Sequence, residues 1–215
     1  MRAAIFLNGA SDSESVLGAV AKAADLIVAA DGGARHALAA GIVPDLIVGD
    51  LDSLEKDLAR EAQRRGASLQ RHPRKKDKMD GQLAVLAAAE RGATAADFAC
   101  AAGGKPGAVF AIPHILLAAE RTGMRSTVFA DWGCMFVLEA GSRTVEGKAG
   151  DSVSIFPLAG PAMGVTLEGM AYPLQNAILH PGDTLGFHNE LIGQQAKVSI
   201  EGGSLLVVQE NAEDW

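Results

Sequence analysis

Five short apolar runs, each closed by Gly, Asn or Asp, constrain most strongly what this chain can fold into. "AAIFL" stops at Asn8-Gly9 and "LIVAA" at Asp31-Gly32-Gly33. "LIVG" stops at Asp50, "FACAA" at Gly103-Gly104 and "STVFA" at Asp131. Between them, residues 13–24, 34–40, 54–65 and 80–91, and a run after Gly107, space their apolar residues as helices do. Strands without polar alternation are buried on both faces, so alternation with helices predicts a parallel sheet covered on both sides. Ser53 is expected to cap the helix over 54–65, and Gly66 to stop it.

After Asp131 the pattern changes. "MFVLEAG", "RTVEG", "DSVSIFPL", "GVTLEGMAYPL", "DTLGF", "AKVSIEGG" and "LLVVQ" read as strands separated by Gly, Pro and Asp turns, with no helix between them. The fold class is therefore α/β followed by all-β, the second part a small β-sandwich. The seam falls within 132–135, which gives domains 1–132 and 133–215. At 215 residues the chain is long enough for both.

Composition excludes several classes of function. Residues 1–132 balance 16 Lys and Arg against 16 Asp and Glu, while 133–215 hold 3 against 10 and carry the whole net charge of −7. Neither part is basic, so no nucleic-acid partner is expected. No apolar run approaches the roughly 20 residues of a membrane helix, and the N-terminus lacks a signal-peptide pattern, so neither a membrane nor export is expected. Cys100 and Cys134 show no disulfide or metal spacing. They read as reduced core residues of a cytoplasmic protein.

Ligands of an open parallel sheet bind beyond the carboxyl ends of its strands. The glycines gathered at those ends would let backbone N–H groups approach a phosphate. Asp50 and Asp52 follow one strand at i, i+2 spacing, and on an extended segment they point to one side. "KKDKMDGQLAV" supplies Asp77 and Asp80 at the start of the next helix. Taken singly, each aspartate also reads as a turn residue or N-cap. Jointly they suggest hard oxygen ligands for Mg²⁺, and Lys105, beside its glycines, suggests charge neutralisation on a polyphosphate. There is no Walker loop, and His36, His72, His114 and His180 fall at no defensible catalytic spacing.

The ordered set "AADGGARHAL", "PDLIVGDLDSL", "KKDKMDGQLAV", "GGK", "VTLEGMAYPL" and "GFHNE" resembles the thiamine pyrophosphokinase family over about 8–208. The resemblance implies a Rossmann-like nucleotide-binding domain and a β-sandwich. It also implies transfer of a pyrophosphoryl group from ATP to the thiamine hydroxyl, with Mg²⁺, giving thiamine diphosphate and AMP. It implies a homodimer whose active site is shared, with thiamine at the interface. By position, Asp50, Asp52 and Asp80 match metal-binding and catalytic aspartates. Asn8, Asp31, Gly32, Gly33, Asp77, Gly103 and Gly104 fall on the nucleotide side. Lys76, Met79, His188 and Asn189 fall on the acceptor side, Asn189 in the family's "SNE" segment.

Five positions depart from the family pattern. "GGKPGA" stands where "GGRxDH" is usual, so Lys105 replaces an arginine and Gly107 and Ala108 replace an Asp-His pair. Met79 replaces a threonine and His188 a serine. Pro113 is expected to delay the following helix to about residue 112. These departures leave two alternatives to the thiamine reaction: a kinase for another hydroxylated acceptor, and a non-catalytic nucleotide or thiamine binder.

Overall fold

The computed structural model describes residues 1–212. The chain divides into two compact units, Met1–Asp131 and Trp132–Trp215. In the first, strands β1 (Arg2–Phe6), β2 (Leu26–Ala30), β3 (Leu46–Gly49), β4 (Ser68–Arg71), β5 (Ala95–Ala99) and β6 (Arg125–Ala130) alternate with five helices. These are α1 (Glu14–Lys22), α2 (Gly33–Ala39), α3 (Lys56–Arg64), α4 (Asp80–Glu90) and α5 (Pro106–Arg121). Every pairing among the six strands is parallel, in the order β6-β5-β1-β2-β3-β4.

Burial explains why the strands are apolar without alternation. Ala4, Phe6, Ala29 and Ile47 face α1, α2 and α3 in one hydrophobic cluster. Their neighbours Ile5, Val28, Leu46 and Val48 are equally buried, and α4 packs over β1, β2 and β3 on that side. The chain winds outward from β1 through β2, β3 and β4, then crosses back to β5 and β6. Order therefore reverses between β1 and β5, and a crevice opens beyond their carboxyl ends.

Four expectations change here. Strand β4 carries polar, partly exposed residues and gives no apolar run, because an edge strand is covered less than an inner one. Ser53 does not cap α3: its hydroxyl donates to Asp52 Oδ1 at 3.3 Å, and the helix starts after Glu55. Helix α4 is preceded by Met79 with no side-chain cap, so Asp80 is its first residue rather than its N-cap. Pro113 sits inside α5 and does not delay it, since Pro106 at the first turn starts the helix with its φ already helical.

The second unit contains β7 (Gly133–Leu138), β8 (Gly141–Glu146), β9 (Ser152–Pro157), β10 (Ala162–Glu168), β11 (Leu174–Leu179), β12 (Asn189–Glu190), β13 (Gln195–Ile200) and β14 (Leu205–Glu210). Antiparallel pairing orders them β12-β9-β14-β7 and β11-β10-β13-β8. Phe136, Val153, Ile155 and Val207 of the first set share one buried cluster with Val145, Val165, Leu167 and Val198 of the second. "GVTLEGMAYPL" is not one strand, because Gly169 at φ 78° turns the chain between β10 and β11. "DTLGF" forms turns instead of a strand: the His180 N–H donates to Asp183 Oδ2 at 2.7 Å, and Gly182 and Gly186 take positive φ. Among the described residues no helix is long and apolar enough to cross a membrane. Cys100 and Cys134 are free thiols, the first buried and the second half-buried.

Candidate active site

A cavity of about 370 Å³ lies at the β1/β5 reversal. Its lining comes from Asn8 and Gly9 after β1, Asp31 after β2, and Cys100, Gly103 and Gly104 after β5. Met79, Asp80 and Gly81 of the α4 start and Lys105, Ala108 and Ile112 of the α5 start complete it. The glycines around it have distinct causes. At Gly33 a Cβ would stand 2.1 Å from the Phe6 carbonyl oxygen, so this glycine lets α2 abut the end of β1. Gly103 and Gly104 take φ of 75° and 81°, a left-handed pair that turns the chain from β5 towards α5. Gly33 thus packs backbone on backbone and Gly32 makes room for the Asn8 side chain, whereas Gly103 and Gly104 line the cavity.

The carboxylates gather beside this cavity by a route that strand alternation did not anticipate. Leu51, between Asp50 and Asp52, has φ of 62°. The segment is therefore a tight turn, and Asp50 Oδ1 accepts the Asp52 N–H at 3.1 Å. Oxygens of Asp31, Asp50 and Asp52 all lie within 4.8 Å of one another. Among the described residues this is the group with metal-ligand spacing, and it differs from the expected set. It includes Asp31, which the resemblance places on the nucleotide-side turn, while Asp80 falls outside this spacing. The missed signal was that Asp31 ends a strand next to β3, so adjacent strand ends bring it to Asp50.

Asp80 lies next to this group but outside it. Its Oδ1 meets Lys76 Nζ at 2.9 Å, an ion pair that supplies counter-charge without a well-directed hydrogen bond. Lys76 also reaches Asp50 Oδ2 at 3.7 Å, and Arg74 reaches Asp52 Oδ2 at 3.4 Å. Lys76 was expected on the acceptor side, yet in this structure its ammonium is held among carboxylates. Asp77 is exposed on the loop before α4, away from the cavity lining.

Titration follows from these contacts. Burial pushes the Asp31 carboxyl above the usual range; the Ser53 hydroxyl opposes this, and the charges of Asp80, Asp50 and Asp52 reinforce it. The Asp52 backbone N–H is the main reason Asp50 lies below the usual range, helped by Lys76 and Arg74 and opposed by burial. Burial pulls the Lys76 ammonium down, but pairing with Asp80 and then Asp50 outweighs it and leaves the pKa raised.

The donor set fits a hard divalent cation. Three carboxylates converge, and Asp31 Oδ1 is buried with no hydrogen-bond donor. Oxygen ligands of this kind suit Mg²⁺, which binds through one or two carboxylates plus phosphate and water. Asn8 is held beside the cavity by Arg35, whose Nη2 donates to Asn8 Oδ1 at 3.0 Å. That link was not foreseen, because Arg35 lies 27 residues along the chain from Asn8.

The two remaining acceptor-side residues lie in the second unit. His188 is exposed at φ of 54°, its N–H donating to Ser154 Oγ at 3.2 Å. Asn189 is buried and largely committed: Oδ1 accepts from the Tyr172 and Glu190 N–H groups, each at 2.9 Å, and Nδ2 donates to the Tyr172 carbonyl oxygen at 2.6 Å. Its amide braces the loop that presents the exposed Tyr172 ring, and one N–H remains for a further acceptor.

Residues 17–128 match the family described as thiamin pyrophosphokinase, catalytic domain, and residues 143–205 match thiamin pyrophosphokinase, vitamin B1 binding domain. A thiamine pyrophosphokinase of Bacillus subtilis (strain 168) is 25% identical over 185 residues, or 86% of each chain. The solved thiamin pyrophosphokinase of Geobacillus thermodenitrificans superposes with a TM-score of 0.81 at 26% identity, over 98% of both chains. That of Bacillus subtilis gives a TM-score of 0.82 at 23% identity, over 98% of this chain and 99% of its own; at that identity it speaks to the fold. Two family domains matched in order, on a fold shared with these enzymes, identify the chain as a member of the thiamine pyrophosphokinase family.

Proposed function

We propose that the protein is an ATP-dependent thiamine diphosphokinase, transferring the pyrophosphoryl group of ATP to the thiamine hydroxyl and releasing AMP. The observation that carries this reading is that Asp31 belongs both to the carboxylate cluster and to the cavity lining. A cation held by Asp31, Asp50 and Asp52 would therefore border the space open to phosphates. Bound there, Mg²⁺ would offset charge on the transferring phosphoryl oxygens.

The chain's own residues do the rest by positioning. The Gly103-Gly104 turn keeps side chains out of the phosphate path. Lys105, the residue before α5, brings positive charge to a helix N-terminus that has no side-chain cap. Lys76 neutralises Asp50 and Asp80, so that four carboxylates tolerate one another without a cation. No nucleophilic side chain is required, since the acceptor alcohol attacks directly and alignment supplies much of the rate. The altered "GGKPGA" keeps the glycine turn and one cation but lacks an arginine fork and an Asp-His pair.

The unit division supports a first domain, 1–132, that is Rossmann-like and binds ATP and Mg²⁺. It supports a second domain, 133–215, that is a β-sandwich. In the second unit Met163, Tyr172, Ile178, Phe187 and Ile192 are half or more exposed. Such apolar surface supports a homodimer with thiamine contacts on this unit. Free thiols support a reducing compartment, the cytoplasm.

Incubation with ATP, Mg²⁺ and thiamine is expected to yield AMP and thiamine diphosphate, and Asp50→Asn is expected to abolish both. Absence of products at high protein concentration, with nucleotide still bound, would favour the non-catalytic binder. Met79, 45% exposed in the cavity wall where the family has threonine, supports a second reading, another hydroxylated acceptor. Turnover confined to thiamine across a panel of alcohols refutes that reading.

A further inference from the structure

The turn that presents Asp50 and Asp52 is held by a residue with no ligand atom. Leu51 adopts φ of 62°, a left-handed conformation that costs an L-residue with a branched side chain roughly 1–2 kcal/mol. Neither neighbour relieves that cost, because Asp50 and Asp52 face polar partners. What opposes it is burial: the Leu51 side chain is 9% exposed and packs in the cluster formed by Leu54, Ala59, Ala62 and Ile47. Extended backbone at residue 51 would pull the side chain out of that cluster. It would also break the bond from the Asp52 N–H to Asp50 Oδ1 and draw the two carboxylates apart.

We infer that Leu51 is a positioning residue whose buried side chain locks the Asp50–Asp52 turn into its cation-ready form before any cation arrives. The inference rests on the reading of Asp31, Asp50 and Asp52 as a cation site and adds the element that preorganises it. In Leu51→Ala the anchor is lost while the left-handed cost remains, so the extended form becomes populated. The truncation exposes or empties roughly 40–80 Å² of apolar contact, about 1–2 kcal/mol, so at 1.4 kcal/mol per decade the turn-to-extended ratio falls about 5- to 30-fold. Leu51→Met, which fills a similar volume with an adaptable side chain, is expected to restore most of it.

Two measurements on the full chain separate this role from general stability. The first is amide hydrogen exchange of the Asp52 N–H by NMR without divalent cation. Leu51→Ala is expected to speed it about 5- to 30-fold. Leu17→Ala, which empties the same hydrophobic cluster from α1, is expected to leave it within about twofold. The second is Mn²⁺ affinity, read by paramagnetic broadening with a non-hydrolysable ATP analogue. It is expected to fall by a similar factor in Leu51→Ala, to hold in Leu17→Ala and to recover in Leu51→Met. Equal exchange in the Leu51→Ala and Leu17→Ala proteins overturns the inference. Altered exchange with no Mn²⁺ binding, even in the unsubstituted protein, leaves the lock standing and overturns the cation site instead.

Discussion

Asp31→Asn reports on the carboxylate cluster through stability as well as activity. The change is isosteric, and residue 31 sits at φ of 46°, a left-handed conformation that asparagine adopts readily. Its effect is therefore electrostatic. At the 4.8 Å bound on the cluster's spacing, two unit charges repel by about 3.5 kcal/mol at an effective dielectric of about 20, and by about 0.9 kcal/mol in bulk water. Asp52 is exposed, and Lys76 and Arg74 face the cluster, so the lower figure applies to each pair and is partly offset. Relief of about 1 kcal/mol remains, and in EDTA at neutral pH the variant is expected to melt about 2–4 °C higher.

With Mg²⁺ and an ATP analogue the order reverses. Ligand at about a hundred times its dissociation constant adds about 2.7 kcal/mol to the unsubstituted protein, and the variant loses most of that gain. The pH dependence has a definite sign. Asp31 is raised by burial first, so the cation-free protein is penalised for ionising it. The penalty is absent below the unfolded carboxyl value of about 3.9 and sets in as pH rises through the higher folded value. The advantage of Asp31→Asn in EDTA should therefore grow with pH across that window and then stay level. Differential scanning fluorimetry with and without Mg²⁺ reads all three effects. A variant less stable than its parent in EDTA at neutral pH, or one that gains as much from Mg²⁺, refutes the electrostatic account.

Three further outcomes are expected. Gly33→Ala forces α2 away from the Phe6 carbonyl oxygen and is expected to cost at least about 2–3 kcal/mol, read as a lowered urea midpoint with unchanged slope. Cys100 and Cys134 are both pushed up to about 11 by burial, which leaves roughly a hundredth of the ordinary thiolate at pH 8. Alkylation of the native protein should be slow and become rapid in urea, and rapid native labelling would refute their packing. Lys105→Ala is expected to reduce kcat/KM for ATP about tenfold, with Lys105→Arg retaining most activity; equal rates would remove Lys105 from the phosphate path.

How far each part was legible from the sequence depended on how local its cause was. The inner strands were readable because burial on both faces leaves apolar runs such as "LIVAA" and "LIVG". Edge strand β4 was not, because its polar residues pay no penalty for partial exposure. Glycine at the strand ends was evident, but not whether it served packing, as at Gly33, or a turn beside the cavity, as at Gly103. Pro113 suggested a late helix, and Pro106 together with burial along α5 overrode it.

At the site, the amino-acid sequence alone determined that acidic groups and glycines cluster where strands end, and its ordered motifs carried the family resemblance. Only the tertiary structure decided which carboxylates meet. Asp31 reaches Asp50 because β2 and β3 are paired neighbours, while Asp80 is drawn to Lys76, four residues before it in the loop that leads into α4. Asp50 and Asp52 share a side because Leu51 turns left-handed, not because a strand alternates. That conformation is unfavourable locally and is stabilised by a side chain buried among residues from other elements. Its cause is a balance between backbone cost and distant packing, which no window of neighbouring residues contains.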